Sequence, residues 1–164
     1  MEKLINTVAP TGAWPTKKDT PYVPLTPKEI AEEVYECWKA GASIAYIHVR
    51  NDDASASMNF DKFKETVTFI RDKKDCDIIL NLTTSGGIGL KDDERMRPFM
   101  AIITGGHVRV GMEDNIFMAR GVLAKSNVEF VERVKRIVKE FQREIATPAE
   151  ARAILGLKGR ELQK

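Results

Sequence analysis

Three stretches of this sequence place ionisable or hydroxyl side chains where a strand should end. In the first, Tyr46-Ile47-His48-Val49-Arg50, period-two spacing puts Tyr46, His48 and Arg50 on one face of an extended chain. A neutral imidazole there can bind a metal. A structural histidine is the blander reading of a single ligand type. The second stretch, Asn81-Leu82-Thr83-Thr84-Ser85-Gly86-Gly87, sets hydroxyls ahead of glycines. That pattern can bring backbone N–H groups to an oxyanion or a phosphate, or it makes a polar turn into a helix. No GKS or GKT follows, so it is not a Walker loop. The third runs from Gly106 to Asn115, where Arg109, Gly111 and Glu113 alternate onto one face and Gly111 leaves room for a ligand above the sheet. Glu113 suits a cation, Arg109 a carboxylate held by two hydrogen bonds, and Asp114 a general base. The alternative is an ordinary ion pair closing a strand. Trp14 and Tyr22 lie among prolines in residues 10–24, either as a wall of a site or as a packed connection.

The elements that must carry these residues alternate in type. Leu4 to Ala9 reads as a short buried strand. Thr26, Pro27 and Glu29 spell a capping box with proline in the first turn, opening a helix that Gly41 ends. SIAYIHVR is β-branched and strand-like, and Phe60 to Lys74 carries Phe63, Val67 and Ile70 on one helical stripe. The strand DIILNLTTS, a helix interrupted by Pro98, the strand HVRVGM, a helix from Asn127 to Arg143 and a short helix capped by Thr147 complete the order. Strands alternating with helices imply parallel pairing, with chemistry at the carboxyl ends of the strands.

Composition sets the bounds. The chain has 164 residues, 43% hydrophobic and 30% charged, which suits one domain, residues 1–164. A net charge of +2 gives no reason to expect nucleic acid or an anionic membrane as a partner. Cys37 and Cys76 form no paired motif, so a reducing compartment, the cytoplasm, is expected. The start MEKLINTVAP shows neither the long apolar run of a membrane span nor a secretory leader pattern.

The phrases TGAWPTKKDTPYVPLTPKEIAEE, GASIAYIHVR, NLTTSGGIG, TGGHVRVGMEDN and ATPAEARAILGL, in this order, resemble the β-keto acid cleavage enzymes. That is the family of the 3-keto-5-aminohexanoate cleavage protein of lysine fermentation. The resemblance implies a (β/α)8 barrel, a cytoplasmic transferase, and partners in a β-keto acid and acetyl-CoA. A carbon–carbon bond is cleaved to give acetoacetate and a new CoA thioester. It also implies a zinc ion, held by two histidines of an HxH motif and a carboxylate, that polarises the keto group. Residue by residue, His48 matches the second histidine, Glu113 the zinc carboxylate, and Arg109 and Asp114 the catalytic pair. Thr83 falls where a substrate-contacting hydroxyl is expected, with Thr84, Ser85 and Gly86 beside it.

This sequence departs from the pattern in three places. Tyr46 stands where the first histidine belongs, and Trp14 stands where the lysine-fermentation protein has an acidic residue. The chain also falls short of the ~250 residues a (β/α)8 barrel takes. The resemblance runs to about Pro98 and resumes near Met100, so barrel strands 1, 2, 3 and 8 are retained. Two architectures follow. One is a partial barrel in the order 8-1-2-3. The other is an open 3-2-1-4 sheet whose crossover, near Leu90 to Thr104, covers the former barrel interior. If that interior stays open, a second copy of the chain is the expected partner.

Overall fold

The structure is a computed structural model that describes residues 2–82 and 101–158. Its strands are β1 (Asn6–Val8), β2 (Ile44–Ile47), β3 (Val49–Arg50), β4 (Ala56–Ser57), β5 (Ile79–Leu82), β6 (Val108–Val110), β7 (Phe117–Ala119) and β8 (Val122–Leu123). Its helices are α1 (Pro27–Ala40), α2 (Phe60–Asp72), α3 (Asn127–Glu140) and α4 (Pro148–Ile154). Four strands form one parallel sheet in the order β5-β2-β1-β6. Both architectures expected from the sequence share this order.

Alternation sends Leu4, Val8, Ala45, Ile47, Val108 and Val110 to one face of the sheet. They join one buried cluster with residues of α1, α2 and α3. These three helices lie on a single face, as in a partial (β/α) barrel. On the other face Ile5 and Ile44 pack with Ala146 and Ala151, so α4 covers only the floor of the sheet. Above that floor Asn81 and Arg109 are exposed. The expected crossover lies, save its last residues, outside the described residues.

Local chemistry sets the helix ends. The Thr26 hydroxyl accepts the Glu29 N–H at 3.2 Å, and the Glu29 carboxylate accepts the Thr26 N–H at 3.0 Å. Burial disfavours the Glu29 charge, but the N–H groups of Thr26 and Leu25 and the Lys17 ammonium hold its carboxyl at about 2. Gly41 closes α1 at φ 117°. Thr147 and Glu150 repeat the capping box at α4. The stripe of α2 differs by one position: Thr66, not Val67, is buried between Phe63 and Ile70. Helix α3 ends three residues before the expected Arg143. Gln142 turns left-handed, and the Arg143 guanidinium binds the carbonyls of Glu2, Ile102, Gly105 and Gly106. Cys37 and Cys76 are both buried and free, and burial pushes the Cys37 thiol well above its ordinary range. No helix among the described residues is long and apolar enough to cross a membrane.

Asn127 ties α3 to the strand ends. It is fully buried, its carbonyl accepts the Met112 N–H at 2.7 Å, and its amide donates to the Pro10 carbonyl at 3.1 Å. An Asn127→Ala variant strands two buried backbone groups. It should lose about 3 kcal/mol of unfolding free energy in urea melts, against under about 0.5 kcal/mol for the exposed Glu132→Ala.

Candidate active site at the strand ends

The site forms where β1 and β6 end side by side. Ala9, just past β1, donates its N–H to the Val110 carbonyl at 2.9 Å and accepts the Glu113 N–H at 3.2 Å. The strand then stops, and residues 111–115 make a tight turn closed by the Gly111 carbonyl, which accepts the N–H groups of Asp114 and Asn115. Strict alternation of Arg109, Gly111 and Glu113 is therefore not what brings them together. Nor does Gly111 leave space for a ligand. It has φ 147°, and a Cβ there would meet the Ala9 carbonyl oxygen at 2.2 Å. Glycine is needed because the two strand ends touch.

The turn folds both acidic groups back over the sheet. Arg109 Nη1 lies 3.3 Å from Glu113 Oε1, and Arg109 Nη2 is ion-paired with Asp114. His48 Nε2 reaches the same Glu113 oxygen at 3.2 Å. His48, Glu113, Arg109 and Asp114 therefore make one connected cluster across two non-adjacent strands. Burial works against the Arg109 charge, but Asp114 and Glu113 hold its pKa above the usual guanidinium value. Glu113 Oε2 is buried and has no hydrogen-bond partner among the described residues. The Arg109 guanidinium lies over the Tyr46 ring, 5.1 Å from its centroid, and the His48 ring meets the Tyr46 ring edge-on at 5.4 Å.

Arg50 is not on that face. The parallel strand stops at Ile47, and β3 turns away to pair antiparallel with β4. The Arg50 side chain is buried and finds backbone carbonyls: Gly12 at 2.8 Å, Ala54 at 2.7 Å, Pro15 at 3.0 Å and Thr11 at 3.4 Å. This anchors the first loop against the turn. Gly12 (φ 62°) packs so closely on Glu113 that a Cβ would lie 2.6 Å from Glu113 Cγ. Trp14 donates its indole N–H to the Glu113 carbonyl at 2.6 Å while its ring stays half exposed. The first loop is thus a wall of the site. Tyr22 is exposed. Thr83, Thr84, Ser85 and Gly86 lie outside the described residues. The roles of Arg50 and Gly12 were hidden from the sequence, because the break in the strand at His48 leaves no mark in its β-branched run.

A parallel sheet bearing acid, base and guanidinium groups across its carboxyl ends has the arrangement seen in (β/α) enzymes. The comparisons narrow the class. The profile of the beta-keto acid cleavage enzyme family matches residues 3–100 and 98–157. The chain is 31% identical to the 3-keto-5-aminohexanoate cleavage enzyme of Fusobacterium nucleatum over 272 aligned positions, covering 96% of this chain and 99% of that one. To the enzyme of the same description from Acetoanaerobium sticklandii it is 30% identical over 273 positions, with the same coverage. It is 36% identical over 111 positions to a 3-oxoadipate:acetyl-CoA acetyltransferase of Cupriavidus necator, covering 65% of this chain and 39% of the other. The chain belongs to the β-keto acid cleavage enzyme family. The alignments to the first two relatives are longer than its own 164 residues, so those relatives carry positions with no counterpart here.

The zinc that the resemblance implies can be weighed against these residues. In its favour, His48 and Glu113 converge and one Glu113 oxygen is buried without a partner among the described residues. Against it, a catalytic zinc takes three protein donors. No group of three His, Cys, Asp or Glu among the described residues is placed to hold a metal. The position that should offer an imidazole presents the face of Tyr46, with Arg109 over it. The described residues do not fit a catalytic zinc.

Arg50→Met should release the first loop. In a Trp38→Phe background, leaving Trp14 as the reporter, the Trp14 emission should shift to the red and the near-ultraviolet circular dichroism should fall. Urea melts should lose about 3 kcal/mol from the unpaired buried carbonyls.

Proposed function

We propose that this chain carries one wall of an acetyl-CoA-dependent β-keto acid cleavage site and, lacking a ligand and the opposite wall, does not turn over substrate as an isolated chain. The observation that carries the reading is the meeting of His48 with Glu113 at 3.2 Å, beside the Arg109–Asp114 pair. Two strands separated by β1 supply these groups, and only preserved pairing at the strand ends brings them together.

Each group has a task in this reading. Arg109 presents a guanidinium to the carboxylate of a β-keto acid, a planar two-pronged match. Asp114, oriented by Arg109, is the proton acceptor for the carbon–carbon bond-forming step. His48 and Glu113, joined to each other, face the position assigned to the keto oxygen. Thr83 is assigned the substrate hydroxyl contact, with Thr84, Ser85 and Gly86 lining the same loop. Trp14 offers no charge to an ammonium group, which favours a neutral or acidic substrate tail over the amino tail named for the two long relatives. Two free buried cysteines suit the cytoplasm.

The family profile's two segments, meeting at 98–100, support an internally shortened single domain that keeps barrel strands 1, 2, 3 and 8. A second reading is activity regained by self-association. It is favoured by the exposure of Asn81 and Arg109 on the face a barrel would enclose. It expects turnover that rises faster than linearly with protein concentration, together with dimers in sedimentation.

The test of the first reading is a paired measurement on the purified chain and its Tyr46→His variant. Zinc content should be well below one equivalent in the former and near one in the latter. Affinity should rise at least about 100-fold, since outer-shell changes alone cost 10–100-fold. Acetoacetate formation from a β-keto acid and acetyl-CoA should be undetectable for the unaltered monomer. Stoichiometric zinc with turnover by that monomer would overturn the reading.

A further inference from the structure

The mismatch between this site and a zinc site has a structural cause beyond a missing donor. We propose that the Arg109 guanidinium takes the cation's place, seated on the Tyr46 ring and neutralising Glu113 and Asp114 together, so that the cluster takes up no divalent metal. The inference rests on the reading of the strand ends given above and extends it.

The charges balance without a metal. Glu113 and Asp114 bring two negative charges, and Arg109 contacts both. Arg50 is buried nearby and interacts electrostatically with Glu113. Two guanidinium charges, one in contact and one nearby, thus balance two carboxylate charges. A metal binding Glu113 Oε1 would have to displace Arg109, because the guanidinium and the imidazole already share that oxygen at 3.3 and 3.2 Å, which leaves Oε2 as the unpartnered oxygen. Asp114, the other acidic group of the cluster, is held by the other arm of Arg109.

Tyr46 gives Arg109 its seat. A phenol ring offers a cation its negative face, and the guanidinium lies 5.1 Å above that face. The register explains why they meet. Arg109 pairs with Thr7, Thr7 with Ile44, and Tyr46 lies two residues along β2 on the same face. An imidazole at position 46 would add a donor and remove the platform at once. The substitution at one position and the placement of Arg109 are therefore two parts of one arrangement.

The test separates these effects with cobalt(II), whose visible spectrum reports coordination. Titrations use the full chain, Tyr46→Phe, Tyr46→His and Arg109→Met, with Arg109→Gln in reserve should the Met variant fail to fold by circular dichroism. Removing a unit charge a few ångströms from the ligands should tighten binding by at least about tenfold in Arg109→Met. Tyr46→Phe keeps the ring face and should stay as metal-free as the unaltered chain. Metal uptake by Tyr46→His without any gain in the Arg109 variants overturns this inference but leaves the reading of the wall intact. A gain in Arg109→Met with none in Tyr46→His supports it and sinks that reading. Cobalt binding by Tyr46→Phe or by the unaltered chain at micromolar concentration also overturns the inference.

Discussion

The contact between Ala9 and residues 110–113 is the constraint on which the site depends. A parallel pair of strands has no turn to join its ends, so nothing in the chain's connectivity forces the tips of β1 and β6 to coincide. Here the Ala9 peptide does so by bonding on both sides, to Val110 and to Glu113. The absent side chain of Gly111 lets the backbones close to contact distance. Once that contact is made, the tight turn has one way to go. It delivers Glu113 over the sheet toward an imidazole from β2, two strands away from β6.

A second layer of support works from outside the sheet. Arg50 spends its guanidinium on four carbonyls, three of them in the first loop, and the loop in turn presses Gly12 against Glu113. Trp14 closes the same loop from the solvent side. Asn127 couples the base of α3 to Met112 and Pro10, so the helix layer and the loop layer are fastened to the same few peptides. Backbone groups thus brace the cluster on both sides.

Much of this was legible in the residues. Capping boxes at Thr26 and Thr147, the glycine end of α1 and the apolar stripes announced the helices, because those signals are local. The sheet order followed from the barrel strands that the resemblance implied. The gathering of His48, Glu113, Arg109 and Asp114 was legible through strand-end logic and the resemblance. Three things were not. The strand break at His48 is set by tertiary pairing of β3 with β4, so Arg50 was assigned to the wrong face. Gly111 was read as room for a ligand, when its neighbour is a peptide carbonyl distant in sequence. Hairpin β7–β8 involves strands of three and two residues, too short for periodicity to register.

The buried sulfur of α1 has a use of its own. Cys37 sits in the apolar layer between that helix and the sheet, fully shielded, with a thiol that resists ionisation. Alkylating reagents attack the thiolate, so the intact molecule should be nearly inert to them. Its rate of labelling then clocks how often α1 lifts from the sheet. The chain thus carries a native reporter of its own opening.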